Sequence, residues 1–549
     1  MTKRRSTVLD HRRTDTRASR SEPLRGAQTG HQPNRLEATA DTTVAAVCIV
    51  AVVLLPLYFT FLDSSGPESD KAVLLIALAA VAAGAWLIGA FERARRGAQP
   101  WSANPLIWLG IALFGIYALA TLLSIHARAS LFGSLARHQG LLTHAAYAVF
   151  FVCAATRFRR QDQMSRLVSV LIFASIPAVV YGLAQQLGFD PAPTGGDPAT
   201  VQWPVRSSMG QHLFFGAYLV LIIPLTAARL FSEWERRETP PAPASGREPL
   251  LVLIITAFTC ASFLGVLAIA YHINAVSALL PAILAGYALL ALLVDGLPDS
   301  TPMRRVRIWG YAGILAAQIL ALLFTSARGP WLGFFVSAAV FGILLAWWLG
   351  RRDVSLAILG TASVLALAVV VLNIPAGPLQ PLRSVHLLHR ISHLSESGGN
   401  DSSARGRWLI WQGVADLMTH TPAIGNTWGG PGRDIVGYGP EALDQAFEAV
   451  FPLKLRQMTS EVYTWDRAHD IYLDTLVDVG LLGLLVLLAT VAVFFGRTWR
   501  DLIRRRGLPG WLCIGMISAI AGHMVEGIFG LDTAVTLLLF WLIIGFAAS

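Results

Sequence analysis

Long apolar runs recur along the whole chain and constrain its fold more than any other feature. A run of about 20 residues crosses a bilayer as one helix, and lipid admits only helices or closed barrels because their backbone polar groups are satisfied. Hydrophobic residues make up 54% of the 549 residues and charged residues only 14%, unlike a soluble chain. We find roughly fourteen such runs, centred near residues 53, 81, 114, 149, 177, 220, 260, 284, 317, 340, 364, 483, 518 and 540. Some are short or glycine-interrupted, so the sequence predicts an all-α polytopic membrane protein with about 12–14 transmembrane helices.

The segment before the first run, residues 1–41, is rich in arginine and poor in acids. Its charge predicts a cytoplasmic N-terminus by the positive-inside rule, and its polar composition predicts a disordered tail. No apolar stretch lies near its start, so we expect no cleaved signal peptide; the few acids leave a transit peptide as an alternative.

Alternate loops are also rich in arginine, as expected when successive helices cross back and forth. They occupy residues 92–97, 157–166, 231–248, 304–307, 351–353 and 497–506. Topology and contact with anionic lipid headgroups then account for the net charge of +9. We therefore expect membrane lipid, and no nucleic acid, among the partners.

The opposite side carries one large loop, which is long enough for a small cap but too short for an independent catalytic domain. We divide the chain into a basic tail (1–41), helices 1–11 (42–375), an extracytoplasmic cap (376–468) and helices 12–14 (469–549). Within the cap, residues 407–419 predict a helix on which Trp408, Trp411, Ala415 and Met418 share one face. That face suits a helix lying at the lipid interface.

All of the cysteines lie in apolar runs: Cys48, Cys153, Cys260 and Cys513. Their spacing fits neither a disulfide framework nor a metal motif. We therefore expect them to be packing residues.

Residues that can carry chemistry gather where the cap meets the twelfth helix, in the stretch WDRAHDIYLDTLVDVGLLG. Asp466, Arg467, His469 and Asp470 would be costly there unless they face water, each other or an ionic ligand. An imidazole exchanges protons near neutral pH, so His469 could take a proton from an attacking hydroxyl or hold a phosphate. The alternative is a structural histidine that caps the twelfth helix.

Further candidates lie on the same side. Arg328, in the tight turn TSARGPWLG, is either an arginine that reaches to the interface or a phosphate ligand, whose oxygens its fork of donors fits. Arg405 and Arg407 open the cap helix, whose N-terminus itself favours anions. Glu441, in the turn VGYGPEAL, is either a solvated acid or, like Asp466, an alternative base.

Arg137, Arg206 and Glu526 complete the set. Arg137 belongs to a loop of cations, residues 124–139, that suits lipid phosphates or an anionic substrate. Arg206 precedes the sixth helix as an anchor or as a substrate ligand. Glu526 lies about one turn inside the last helix but one, where we expect it to pair with one of the arginines.

Taken together, these stretches resemble the O-antigen ligase and polymerase superfamily. The similarity rests on TSARGPWLG, RGRWLIWQG followed by Pro422 and VGYGPE, WDRAHDIYLDTLVDVGLLG, and HMVEGIFGLDT with Trp541, supported by SLFGSLARHQGLLT and YGLAQQLGFDP. The stretches follow the family's order from about residue 105 to residue 545. Each one is weak by itself, and their combination is specific.

The resemblance implies a membrane glycosyltransferase of the GT-C type that works in cell-envelope polysaccharide biosynthesis without a metal ion or other cofactor. It implies an undecaprenyl-diphosphate-linked glycan as donor, and a hydroxyl of a glycan, lipid or protein as acceptor, on the extracytoplasmic face of the cytoplasmic membrane. The family's motif positions carry over onto Arg328, Arg407 and His469 as catalytic residues. Arg405 competes with Arg407 for its match, and Asp470 stands where the family has asparagine.

A lipid-diphosphate donor keeps its tail in the bilayer and its head at the interface, so its site should be lined by cations at the outer end. Cations there could stabilise the departing diphosphate without a metal. Attack from the opposite face predicts inversion of the anomeric centre. The residues expected to bind substrate are Arg405, Arg467, Asp466, Glu441, Arg206, Arg137 and Glu526.

A transporter or flippase for a lipid-linked or anionic solute is the alternative, because the same cations could line a translocation path. Such a protein is expected to have mid-membrane charges in both halves and an internal repeat. The sequence shows neither, since its ionisable residues cluster on one side. A non-catalytic scaffold does not account for Arg328.

Overall fold

The structure is a computed structural model that describes most of the chain. The described residues are 34–58, 67–97, 104–158, 160–187, 204–235, 301–372, 402–422, 432–458, 465–504 and 508–549. Their regular structure is helical, and no strand occurs among them. The predicted all-α class is therefore confirmed.

The helices are numbered in chain order. They are α1 Arg35–Leu54, α2 Pro67–Arg95, α3 Pro105–Leu122, α4 Ala127–Phe132, α5 Leu141–Arg157, α6 Gln161–Gln186, α7 His212–Glu235, α8 Thr301–Phe324, α9 Arg328–Trp348, α10 Arg352–Leu372, α11 Ser402–His420, α12 Arg433–Val436, α13 Leu443–Glu448, α14 Leu453–Met458, α15 Ile471–Arg504, α16 Gly510–Glu526 and α17 Ala534–Ala548. A short 3-10 turn, Ser207–Met209, precedes α7.

Among the described helices, 8 are long and apolar enough to cross a membrane: α1, α2, α3, α6, α7, α8, α9 and α15. Shorter apolar helices, α5, α16 and α17, accompany them. The protein is thus a membrane protein, whereas the predicted count of about fourteen spans is not established. The runs predicted near residues 260 and 284 lie outside the described residues. The first helix begins at Arg35, because the Asn34 side chain caps it by accepting from Glu37 N–H (2.7 Å).

α7 forms the centre of the bundle, and most of its side chains are buried. It packs against α16, which packs in turn against α9. Small residues permit this close approach: a Cβ at Gly522 would stand 2.7 Å from the Gly333 carbonyl oxygen. The sequence therefore places glycine where two membrane helices touch by their backbones.

α15 is not one straight span. Gly480 has φ 69° and ψ −174°, a left-handed backbone that is cheap only for glycine, and it breaks the helix. The cap helix α12 packs into this break, since a Cβ at Gly437 would stand 2.6 Å from the Asp478 carbonyl oxygen. Residues 471–479 therefore belong with the cap end of the molecule, and the bilayer-length part starts at Leu481.

The cap has its own apolar core, which buries one side of the cap helix. The helix itself is found, as α11. Its buried side consists of Leu409, Ile410, Val414 and Leu417, which pack with Phe447 of α13. Of the predicted face, Trp408 (58%) and Ala415 are exposed, Trp411 is half-buried and Met418 belongs to this core, so its placement at the lipid interface stays a prediction. α11 covers α13 and α14, so its more apolar side turns inward.

The loops that alternate along the chain with the arginine-rich ones contact one another at one end of the bundle, which we term the cap end. Lys71, at the start of α2, donates to the Ser208 carbonyl oxygen (3.0 Å). Ser69 Oγ lies 3.0 Å from His138 Nδ1. These contacts join loops that are far apart in sequence, as expected when successive helices alternate in direction.

The arginine-rich loops lie at the opposite end of the bundle. Glu233 of α7 is buried there between Arg307 (2.9 Å) and Arg229 (3.4 Å). Arg304 donates to the Glu233 carbonyl oxygen (3.1 Å) and so satisfies a free carbonyl at the end of α7. Arginines predicted to face lipid headgroups thus also fasten α8 to α7.

Candidate active site

Left-handed backbone marks the cap end. Outside glycine, the described part of the chain adopts it at His138, Ser207, Ser326, Thr421, Glu441 and His469, with φ between 40° and 60°. All but His469 lie in loops predicted on the side of the cap, and His469 stands at the predicted start of the twelfth helix. A residue with a Cβ loses about 1–2 kcal/mol in this conformation, and such strain concentrates at functional sites, where the surroundings enforce it. A functional site is therefore expected here.

His469 lies between the cap and α15, and its hydrogen bonding defines which ring nitrogen is free. Nδ1 lies 3.2 Å from the Arg467 carbonyl oxygen, and the ring packs edge-on against Trp465 with 5.6 Å between centroids. A carbonyl oxygen only accepts, so Nδ1 carries the hydrogen and the neutral ring has its acceptor lone pair at Nε2. Nε2 can therefore take a proton.

The surroundings of His469 keep the ring neutral. Burial lowers the pKa of its imidazole, the positive charges of Arg407 and Arg137 lower it further, and the opposing effects of the Arg467 carbonyl and Asp466 are smaller in sum. Since an ordinary histidine has a pKa of about 6.5, the neutral form prevails at pH 7. This favours a base over a charged phosphate ligand.

Asp466 is tied to Arg137 across the site. Arg137 Nε donates to Asp466 Oδ2 (2.5 Å) and Nη2 donates to Oδ1 (3.4 Å). Burial by itself raises the pKa of Asp466, but Arg137 outweighs it and the net pKa is lowered. A carboxylate with a lowered pKa is a poor base, so Asp466 suits that role less than His469.

Arg467 is surrounded by acids. Its Nη2 donates to Glu441 Oε1, and its Nη1 lies 3.5 Å from Asp478 Oδ2. Burial opposes its charge, but the carboxylates of Glu441 and Asp478 raise the pKa of the guanidinium. Glu441 is 6% exposed and also accepts from Ser134 N–H (3.2 Å). The interpretation of Glu441 as a solvated acid is wrong, because its turn folds beneath the loop of Ser134.

Arg405 and Arg407 are two residues apart on α11, and helical geometry turns them to different sides. Arg405 is exposed, whereas Arg407 is half-buried. The positive charge of Arg407 acts on His469, His212 and Glu526, which come from three different elements. Its burial and the reach of its charge therefore favour Arg407 for the position that both residues could fill.

Arg328 is the first residue of α9 and is exposed. A Cβ on its neighbour Gly329 would stand 3.2 Å from Phe529 Cβ. The Phe529 ring lies 6.3 Å from the ring of Trp411 on α11. The start of α9, the turn before α17 and the helix that carries Arg407 thus meet around one aromatic pair.

Glu526 is paired with a histidine at this end. Its Oε2 lies 3.8 Å from His523 Nδ1, and His523 Nε2 lies 3.3 Å from Asp532 Oδ1. The charge of Arg407 also acts on Glu526. The contact recorded for Glu526 is thus with His523, and its expected pairing with an arginine stays a prediction.

Arg206 lies on the neighbouring loop. The backbone N–H groups of Arg206 and Ser207 donate to Gln185 Oε1 (3.3 and 2.8 Å). The loop leads into α7, whose first residue, His212, is acted on by the charge of Arg407. A role for Arg206 in substrate binding stays a prediction.

Two acids that organise this site were missed. Asp478 contacts Arg467, and Asp474 Oδ1 accepts from Ala468 N–H (2.7 Å). A signal was present, because Asp470, Asp474 and Asp478 recur every four residues and so share a helix face. Arg433, 1% exposed and bonded to the Leu123 carbonyl oxygen (2.7 Å), had no such signal.

Fold and site together define a helical membrane protein whose charged groups converge under a small cap at one end of the bundle. Residues 313–488 match the family model described as O-antigen ligase. The resemblance predicted from the motifs is therefore confirmed over this part of the chain, which contains Arg328, Arg407 and His469. No curated protein matches the chain.

Proposed function

We propose that this protein is a membrane glycosyltransferase of the GT-C type that transfers or polymerises a glycan. The donor is linked to undecaprenyl diphosphate, and the acceptor is a hydroxyl of a glycan, lipid or protein at the cap end, on the extracytoplasmic side of the cytoplasmic membrane. One observation carries the proposal. The imidazole of His469 is neutral, offers a free Nε2, and lies among arginines in the segment that matches the O-antigen ligase family.

In the proposed reaction His469 is the general base. The acceptor oxygen attacks the anomeric carbon as its proton passes to Nε2 of His469. The bond from the anomeric carbon to the phosphate oxygen breaks, and its electron pair leaves with the diphosphate. Attack opposite the leaving group inverts the anomeric centre, and NMR of the product linkage against that of the donor tests this point.

Arg407 and Arg328 are proposed to hold the diphosphate. Guanidinium groups match phosphate oxygens with paired donors and stay charged, and they stabilise the charge that develops on the leaving group. Arg137 and Arg467 contribute positive potential while bonded to Asp466 and Glu441. Glu441 is the alternative base, although its bond to Arg467 makes it less available than His469.

Transfer in proteoliposomes tests the proposal. The purified protein is supplied with an undecaprenyl-diphosphate-linked glycan and a hydroxyl acceptor, and the product is separated by gel. Arg407→Ala is expected to reduce transfer about 100-fold or more. Arg405→Ala, on the same helix but on its exposed side, is the matched control and should retain most activity. Equal activity of both variants and the parent would refute the assignment of Arg407.

The transporter alternative predicts a different result in the same vesicles. A flippase would move the lipid-linked glycan between leaflets and form no new glycosidic bond. Leaflet exchange without transfer, lost in Arg407→Ala, would replace the enzymatic proposal.

A further inference from the structure

Ala468, next to His469, is held at both of its backbone polar groups. Its N–H donates to Asp474 Oδ1 (2.7 Å), and its carbonyl oxygen accepts from Trp411 Nε1 (3.0 Å). Beyond His469, the Ile471 N–H donates to the Gly527 carbonyl oxygen (2.9 Å). Ala468 has no exposed surface, so water does not compete for its bonds. The backbone is therefore fixed on both sides of His469.

His469 requires such support because its own backbone is unfavourable. With φ 58° it occupies the left-handed region that a side chain with a Cβ avoids. In this conformation its Nδ1–H reaches the Arg467 carbonyl oxygen (3.2 Å), which leaves Nε2 as the proton acceptor. If this backbone relaxed, the imidazole would lose its hydrogen bond to the Arg467 carbonyl oxygen, and neither its orientation nor its tautomer would be fixed.

Asp474 contacts the segment 468–471 from its buried side. It is 8% exposed and lines a buried cavity together with Thr475 and Asp478. Of the described residues in the adjoining segment, Arg467 and Ile471 line the same cavity and His469 does not. Asp474 is therefore placed to influence His469 through the backbone.

The role of Asp474 differs from that of the other acids nearby. The charges that act on it are those of Arg467, Arg137 and Asp470. Arg467 already contacts two carboxylates, those of Glu441 and Asp478. The specific contribution of Asp474 is thus its hydrogen bond to Ala468, which needs an oxygen acceptor and no negative charge.

We propose that Asp474 is a positioning residue that keeps His469 in the left-handed conformation and in the Nδ1–H tautomer. The inference rests on the proposed function for the role of His469 as a base. The geometric part, the link from Asp474 through Ala468 to the imidazole, stands without it.

Two substitutions separate the acceptor from the charge. Asp474→Asn keeps a carbonyl oxygen at the same position, and Asp474→Ala removes it. We expect Asp474→Ala to lower kcat about 100-fold, the effect of a misplaced catalytic group, with donor KM within about twofold. Asp474→Asn should restore most of the loss. Thr475→Ala is the matched control, since within the described residues the Thr475 hydroxyl donates to the Ile471 carbonyl oxygen of its own helix (2.6 Å) and makes no bond to Ala468.

A double variant guards against a general effect on folding. Trp411→Phe removes the other side-chain bond to Ala468 and keeps an aromatic ring beside Phe529. If both bonds act through Ala468, the double variant with Asp474→Ala loses less activity than the product of the single losses. Independent effects would multiply and would overturn the proposal.

Nitrogen NMR of labelled histidine reports the tautomer without any activity assay. The parent protein should show His469 protonated at Nδ1, and Asp474→Ala should show a mixture. An inactive parent in the transfer assay would overturn the proposed function, and the NMR result would then decide this inference by itself. A parent-like tautomer in Asp474→Ala, or an Asp474→Asn variant as impaired as Asp474→Ala, would overturn it.

Discussion

The two ends of the helical bundle use the same residue types in different ways. At the opposite end, the buried Glu233 pairs with Arg229 of its own helix α7 and with Arg307 of the regular helix α8. At the cap end, Arg467 with Glu441 and Asp478 forms a similar group. The backbone differs, because only the cap end contains left-handed residues other than glycine within the described ranges.

This difference distinguishes contacts that only stabilise the fold from contacts that hold a functional site. Ion pairs between ordinary helices connect elements and impose no strain on the backbone. At the cap end, an ion pair with Arg467 holds Glu441, and hydrogen bonds to the neighbouring backbone hold His469, in conformations that cost free energy. Such strain persists only where surrounding contacts enforce it. The comparison therefore predicts that substitutions at the cap end reduce activity, while substitutions at the opposite end reduce stability.

The largest expected effect is that of His469→Ala. Loss of a general base lowers the rate about 10²–10⁴-fold, so transfer should nearly vanish while the thermal unfolding temperature in detergent changes little. His420→Ala, at the exposed end of α11, is the control and should keep the parent rate. A His469→Ala variant with the parent rate would contradict the claim that the cap end holds the catalytic base.

Glu233→Ala tests whether the ion pairs at the opposite end of the bundle stabilise the fold. Its loss leaves the buried guanidinium groups of Arg229 and Arg307 without this carboxylate. Breaking a buried pair costs about 3–5 kcal/mol, which thermal unfolding should show as a much lower transition temperature. Activity per folded molecule should stay unchanged. A folded variant with impaired transfer would mean that the opposite end also serves the reaction.

Gly437→Ala and Gly97→Ala compare how tightly the backbone is packed at the two ends of the bundle. Both glycines have a left-handed φ, 83° and 74°, so each alanine costs about 1–2 kcal/mol. A Cβ at Gly97 meets open space, whereas one at Gly437 stands 2.6 Å from the Asp478 carbonyl oxygen. We expect the larger fall in unfolding temperature, together with reduced transfer, for Gly437→Ala. Equal decreases in unfolding temperature would show that the packing of α12 against the break of α15 does not contribute to stability.

Arg137→Gln should produce the smallest effect, a shift in the pH profile. Arg137 is one of the charges that lower the pKa of His469, so its loss raises that pKa. Less of the neutral base is then present at a given acidic pH, and the acid limb of kcat moves to higher pH by less than about one unit. Arg128→Gln, exposed in the same loop, should leave the limb in place. A shift to lower pH would contradict the assignment of His469.

The helices of this protein were largely predictable, because apolar runs are local features. The break of α15 at Gly480 was not, since one glycine in an apolar run signals a break only when another element, here α12, packs against it. Which side of α11 is buried in the cap was not predictable for a related reason. Trp408 and Leu409 both lie on an amphipathic helix, and the position of α13 decides which side is buried.

The candidate site was predictable as a set of residues and less so as an arrangement. Charged side chains beside a membrane span are costly, which singled out Asp466, Arg467 and His469. Their partners come from distant segments, as Arg137 does for Asp466 and Glu441 does for Arg467. Nothing in the local sequence states these pairings. The supporting bond from Asp474 to Ala468 is likewise visible only in three dimensions.

The sequence by itself determined that the chain is a helical membrane protein, and it singled out the charged residues beside the predicted twelfth helix. Hydrophobicity and charge act residue by residue, so their pattern survives without knowledge of contacts. Only the tertiary structure decided that Glu441 is a buried partner of Arg467, that Arg407 is half-buried while Arg405 is exposed, and that the His469 backbone is left-handed. These features depend on distances between elements far apart in the chain, and packing sets those distances.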